Sequence, residues 1–130
     1  MEPHAEPLVD DLAIRLRRVD VVGWAQITMR AEELGVPFED LRLLLALSVC
    51  DGDSSVRELA RVSGLSLGAA YPAVHHLRGR GYLREERRRY SLTDKGRGLI
   101  AVLEAAHQKG IQAYIDGLDA TERQRLDETI

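Results

Sequence analysis

From Leu8 to Leu34, the residues Leu8, Leu12, Leu16, Val19 and Val22 recur at three- and four-residue steps, with charged residues between them. That period predicts an amphipathic helix, bent or loosened at Gly23. Gly35-Val36-Pro37 ends it, and Pro37 suits the first turn of a following helix. Phe38 to Val49 is nearly apolar in its second half, which puts this helix at the core. Cys50-Asp51-Gly52-Asp53 reads as a turn. Ser55 with Glu58 forms a capping box that opens a short helix to Ser63, ended by Gly64. Ser66 caps the next helix, Leu67 to Gly79. Tyr82–Glu85 and Arg89–Leu92 read as two short strands with Arg87-Arg88 at the tip. Thr93 caps a long helix from about Asp94 to Gly117, whose stripe is Leu99, Val102, Leu103, Ala106, Ile111, Tyr114 and Ile115, with Gly110 a weak point. Asp119 with Glu122 is a second box, opening a last helix that reaches Ile130.

The predicted fold is mainly α with a small two- or three-stranded β-wing, a single domain over residues 1–130. A winged helix-turn-helix occupies residues 36–98. Residues 8–35 and 99–130 are helical flanks, and their apolar stripes exceed what a small winged helix can cover. They are expected to make a homodimer; the plainer alternative is a monomer in which first and last helices pack on each other.

The helix opened by Ser66 is the candidate reader of DNA. At about 100° per residue, Ala70, Val74 and Leu77 share one side. Gly68, Pro72 and His75 fall opposite, with Tyr71 and His76 flanking them. The face is small, polar and aromatic. An α-helix fits the major groove, where base edges carry distinguishable donor and acceptor patterns. Tyr71 can donate to a phosphate or pack on a thymine methyl, and Gly68 and Pro72 let the backbone approach closely. The face holds no Arg or Lys, so affinity is expected from phosphate contacts by Arg78, Arg80, Arg84, Arg87, Arg88 and Arg89. The plainer readings are that Tyr71 packs on the wing, that the histidines are solvated and that Arg87 to Arg89 form a solvated hairpin tip.

Charge sharpens this picture. The chain has 130 residues and a net charge of −3. Between Arg57 and Arg97, however, ten Lys/Arg stand against four Asp/Glu, while the rest of the chain holds eight against seventeen. The local basic patch is the footprint expected of a nucleic-acid binder. The hydrophobic fraction of 45% is ample for a core, and with aromatics at 5% that core must be mainly Leu, Val, Ile and Ala. The longest apolar run, Leu43 to Leu47, is far short of the ~20 residues that span a bilayer, so no membrane partner is expected. The N-terminal MEPHAEP has no apolar stretch of the secretory kind. The single Cys50 fits a reducing cytoplasm and reads as a small buried residue.

The order of long helix, central helix, capped helix-turn-helix, wing, long helix and final helix resembles the MarR family of bacterial transcription regulators. The residues that carry the resemblance are Leu34-Gly35-Val36, Ser55-Val56-Arg57-Glu58-Leu59-Ala60, Gly64-Leu65-Ser66, Leu77, Arg80-Gly81-Tyr82-Leu83 and Leu92-Thr93-Asp94-Lys95-Gly96; the stretch Leu118 to Leu126 is similar to the start of that family's last helix. The run Gly68-Ala69-Ala70-Tyr71-Pro72-Ala73-Val74 is more similar to the PadR family. Only Arg84 to Arg89 separates Leu83 from Tyr90, so the wing is short. The resemblance implies a cytoplasmic homodimer on a pseudo-palindromic DNA operator, acting as a repressor by occlusion. It also implies release by a small, often aromatic, ligand, for which Trp24, Met29 and His107 are candidate lining residues. As large apolar side chains on core-facing helices, Trp24 and Met29 also read as plain packing.

Other chemistries find little support. There is no phosphate loop and no Gly-x-Ser-x-Gly, and Cys50 and the histidines match no nucleophile motif, so no enzyme and no cofactor are expected. His75 and His76 are adjacent and point about 100° apart on a helix, which does not suit one metal ion. The second reading is a winged-helix protein-interaction module with little DNA affinity, its acidic flanks binding a partner.

Overall fold

The computed structural model describes residues 5–50 and 52–118, with side chains described from residue 12 onward. The elements in order are α1 (Ala5–Glu33), α2 (Phe38–Val49), α3 (Val56–Ser63), α4 (Leu67–Gly79), β1 (Leu83–Glu86), β2 (Arg89–Leu92) and α5 (Asp94–Gly117). The helix expected from Asp119 lies outside the described residues. The chain forms two compact units: residues up to Ile27 with those from Ala105 on, and Thr28–Glu104.

In the Thr28–Glu104 unit, α2 is the hub. Its Leu41, Leu43, Leu44, Ala46 and Leu47 are all buried, and α3, α4 and β2 pack on it. The helix-turn-helix is built by local signals. Ser55 accepts from the Glu58 amide while Glu58 accepts from the Ser55 amide, so the box is closed in both directions. Gly64, at φ 75°, ends α3 in the left-handed region. The Arg42 guanidinium donates to the carbonyl of Ser63, satisfying one of the free acceptors at that helix end. Ser66 then caps α4 by accepting from the Ala69 amide at 3.2 Å. Ala70, Ala73, Val74 and Leu77 face the core.

The wing is an antiparallel pair with Leu83 opposite Leu92 and Glu86 opposite Arg89. A third strand is reduced to one bridge, Ser54 with Tyr90, at 2.9 and 2.8 Å. The first strand begins at Leu83 rather than Tyr82. Gly81, at φ 84°, still belongs to the turn, and the Tyr82 amide is spent on the Leu77 carbonyl. Thr93 donates to the Gly81 carbonyl and accepts from the Gly96 amide, tying the start of α5 to the base of the wing. Leu99, Ile100 and Leu103 then bury the first turns of α5.

In the other unit, α1 runs unbroken through Gly23. Gly23 is buried, and a Cβ there would collide with the His107 ring and crowd Ile111. Gly110 is buried likewise, and a Cβ would strike the Gln26 side chain. Both glycines mark a close approach of α1 and α5 rather than weak points in either helix. Leu16, on the apolar stripe of α1, is 44% exposed.

Candidate nucleic-acid interface

The outward face of α4 is bare. Gly68, Tyr71, Pro72, His75 and Gly79 are exposed, and Tyr71 keeps 48% of its surface open. Two clefts of about 380 Å³ each flank this face. The one toward α3 and the wing is lined by Ser55, Arg57, Tyr71, His75, Arg88 and Tyr90, with Glu85. The one toward α2 is lined by Glu39, Asp40, Ala69, Pro72, Ala73 and His76. One side of the helix is therefore basic and the other acidic.

The six expected arginines divide into two groups. Arg78 is paired with Glu85 on β1. Arg80 donates to the Gly35 carbonyl at 2.9 Å and lies over the Tyr82 ring, 5.4 Å from its centroid, while Lys95 approaches the same ring and donates to the Arg80 carbonyl. Arg89 reaches Asp53 at 2.6 Å and Glu58 at 3.4 Å, and its bond to Asp53 raises its pKa above the ordinary value. These three hold the wing, the turn before it and the loop before α3 in place. The side chains of Arg84, Arg87 and Arg88 have no hydrogen bond or ion pair among the described residues. Arg57, in the first turn of α3, has none either, and it was not among the residues expected from sequence. Its position two residues after the capping Ser55 was legible; its place in the Tyr71 cleft was not.

The tip is a two-residue turn, with Arg87 at φ 54° and Arg88 at φ 62°. Two successive positive φ values are what a type I′ hairpin turn requires, and Asn-Gly is the usual pair there. Glu85 on β1 is taken by Arg78 and stands opposite Tyr90. Burial, then the Glu85 charge, raises the Tyr90 pKa, so this phenol stays neutral at ordinary pH. His76 is not simply solvated: its Nδ1 bonds to the Asp40 carboxylate. Ser66 spends its hydroxyl as the cap of α4.

Elsewhere, Cys50 is half-buried at the end of α2 rather than buried. Trp24 and Met29, which also read as packing residues, are 41% and 55% exposed. Among the described residues, no group of three His, Cys, Asp or Glu is placed to hold a metal ion, and no helix is long and apolar enough to cross a membrane.

This geometry is a winged helix-turn-helix, and comparison with known proteins places it more narrowly. The IclR helix-turn-helix domain family matches residues 41–87. No curated protein sequence matches the chain. Solved structures match almost end to end. A MarR family protein of Mycobacterium tuberculosis superposes with a TM-score of 0.69 at 23% identity, covering 91% of this chain and 89% of that one. A structure of that protein in complex with DNA gives 0.67 at 22%, covering 90% and 92%. A MarR family protein from Bacillus stearothermophilus gives 0.72 at 18%, covering 95% and 91%. The chain has the fold of the MarR-family structures.

Proposed function

We propose that the protein is a DNA-binding transcription regulator that reads the major groove with α4. The observation that carries this reading is the bare Gly68-Tyr71-Pro72-His75 face, bordered by the unengaged guanidinium groups of Arg57 and Arg88, with those of Arg84 and Arg87 also unengaged on the wing. The face can enter a groove without rearrangement, and the arginines can meet phosphates without first breaking an ion pair. A structural relative that was solved with DNA supports the same use. The regulator acts as a homodimer through residues 8–35 and 99–130, with two reading helices on a pseudo-palindromic site. It represses by covering a promoter, and a small aromatic ligand that alters helix spacing would release it.

Selection of genomic fragments by the purified protein at two salt concentrations tests the reading. A regulator returns one motif with two half-sites, and its affinity falls steeply with salt. Arg57→Ala or Arg88→Ala each lowers the salt slope by about one, alike for all sequences. Weak, salt-insensitive binding to every duplex would point instead to a protein-interaction module.

A further inference from the structure

Asp40 is the single buried acidic residue among the described residues. A buried carboxylate is costly unless charge and hydrogen bonds compensate it. Two features do so. Asp40 lies in the first turn of α2, whose capping position is occupied by Pro37 and has no side-chain cap, so the positive end of the helix is left to the carboxylates of Glu39 and Asp40. The other is His76 on α4, whose Nδ1 bonds to Asp40. The Asp40 side chain is 6% exposed and that of His76 49%. The bond thus runs from the core to the DNA-facing surface.

This bond decides what His76 can offer. With Nδ1 committed to Asp40, only Nε2 is left to meet a ligand. The cleft around the ring contains the carboxylates of Glu39 and Asp40 from α2, and Ala69, Pro72 and Ala73 from α4. No Arg or Lys lines it. Arg80, one turn further along α4, is turned to the carbonyls of Leu34 and Gly35, and His75 lines the opposite cleft. A phosphate arriving on this side of α4 meets two acids and has one group able to carry positive charge.

We propose that Asp40 is a positioning residue for DNA binding. It holds His76 so that Nε2–H donates to a backbone phosphate, with the ring as an imidazolium between two anions. The second ring proton is taken from solvent as DNA binds. The inference rests on the regulator reading and adds to it a proton-linked contact on the acidic side of the reading helix. The sign follows from linkage: the bound complex holds the proton more tightly than the free protein. Affinity is therefore highest at acid pH and falls as pH rises.

The test is binding of the full chain to a fluorescent duplex from pH 5.5 to 8.5 at fixed ionic strength. Wild-type affinity is expected to fall by up to about tenfold per pH unit, the limit for one proton. His76→Gln should bind more weakly and lose that fall, while His75→Gln should keep it. His76→Lys keeps the charge without the proton uptake, and should bind with high affinity at every pH. Asp40→Asn should flatten the profile and Asp40→Glu should restore part of it. If Asp40→Asn does not fold, the two His76 variants decide alone. A His76→Gln profile parallel to wild type, or a His76→Lys affinity no better than His76→Gln, overturns the inference while DNA binding stands. Absence of wild-type binding at every pH overturns the regulator reading itself.

Discussion

Arg87 and Arg88 hold the left-handed region at adjacent positions, with φ of 54° and 62°. Each non-glycine residue there costs roughly 1–2 kcal/mol relative to a right-handed conformation. Asn-Gly would meet the turn's demand with less strain. The two arginines also make no ion pair among the described residues, so the turn gains nothing from them that offsets the strain. A conformation strained at its most exposed point, with unengaged charge on both residues, is the pattern of a contact kept for a ligand. The double substitution Arg87→Asn with Arg88→Gly should therefore raise stability by about 1 kcal/mol. It should also lower the salt slope of DNA binding by about two. Urea unfolding and a salt titration of affinity read the two effects separately. An unfolding midpoint that falls would show that the turn is not strained by its arginines.

The same opposition appears at the scale of the element in α4. The helix runs unbroken through Pro72, which cannot donate to the Gly68 carbonyl and sits on the exposed side. An interior proline costs about 3 kcal/mol, partly returned by the ~0.4–1 kcal/mol its stiffness removes from the unfolded chain, and water can reach the Gly68 carbonyl. Pro72→Ala should then stabilise the protein by roughly 1–2 kcal/mol while changing the DNA sequence it prefers. A higher melting temperature with an altered selected motif is the expected pair of results; an unchanged motif would remove Pro72 from the reading surface. The boundaries of α3, α4 and α5 were legible in the sequence because Ser55, Glu58, Ser66 and Thr93 act on amides within three residues of themselves. The face of α4 was legible for a similar reason, since helical period alone sorts Ala70, Val74 and Leu77 from Gly68, Pro72 and His75. What stayed hidden depends on distant partners. Arg89 looks like its neighbours Arg87 and Arg88 until Asp53 is seen beside it. His76 looks solvated until Asp40 is placed under it. Gly23 looks like a hinge until His107 fills the space against it.

For the whole molecule, the unsettled surface is that of α1. Ile14 and Val21 are 47% and 66% exposed and stand seven residues apart, nearly in line on the helix. Trp24, one turn beyond Val21, is also exposed. Single exposed apolar residues are ordinary, but a helical row of them is the usual mark of an interface. Within the same unit the buried glycines Gly23 and Gly110 bring α1 and α5 into close approach, while Ile14 and Val21 stay largely open. A second copy of the chain is the occupant that fits the proposed regulator. A reading face without Arg or Lys is a weak discriminator by itself, and two such faces linked at fixed spacing discriminate by geometry. Ile14→Asp with Val21→Asp places two charges in that row and should yield a folded monomer. Light scattering should show the mass drop from two chains to one, with the helical circular dichroism retained. Affinity for a duplex with both half-sites should fall by about a hundredfold or more, because the second contact loses its high effective concentration. Affinity for a single half-site should hardly change. A wild-type protein that remains a monomer at micromolar concentration and still binds the two-half-site duplex tightly would leave α1 without this role, and would shift the burden of specificity back onto Tyr71 and His75.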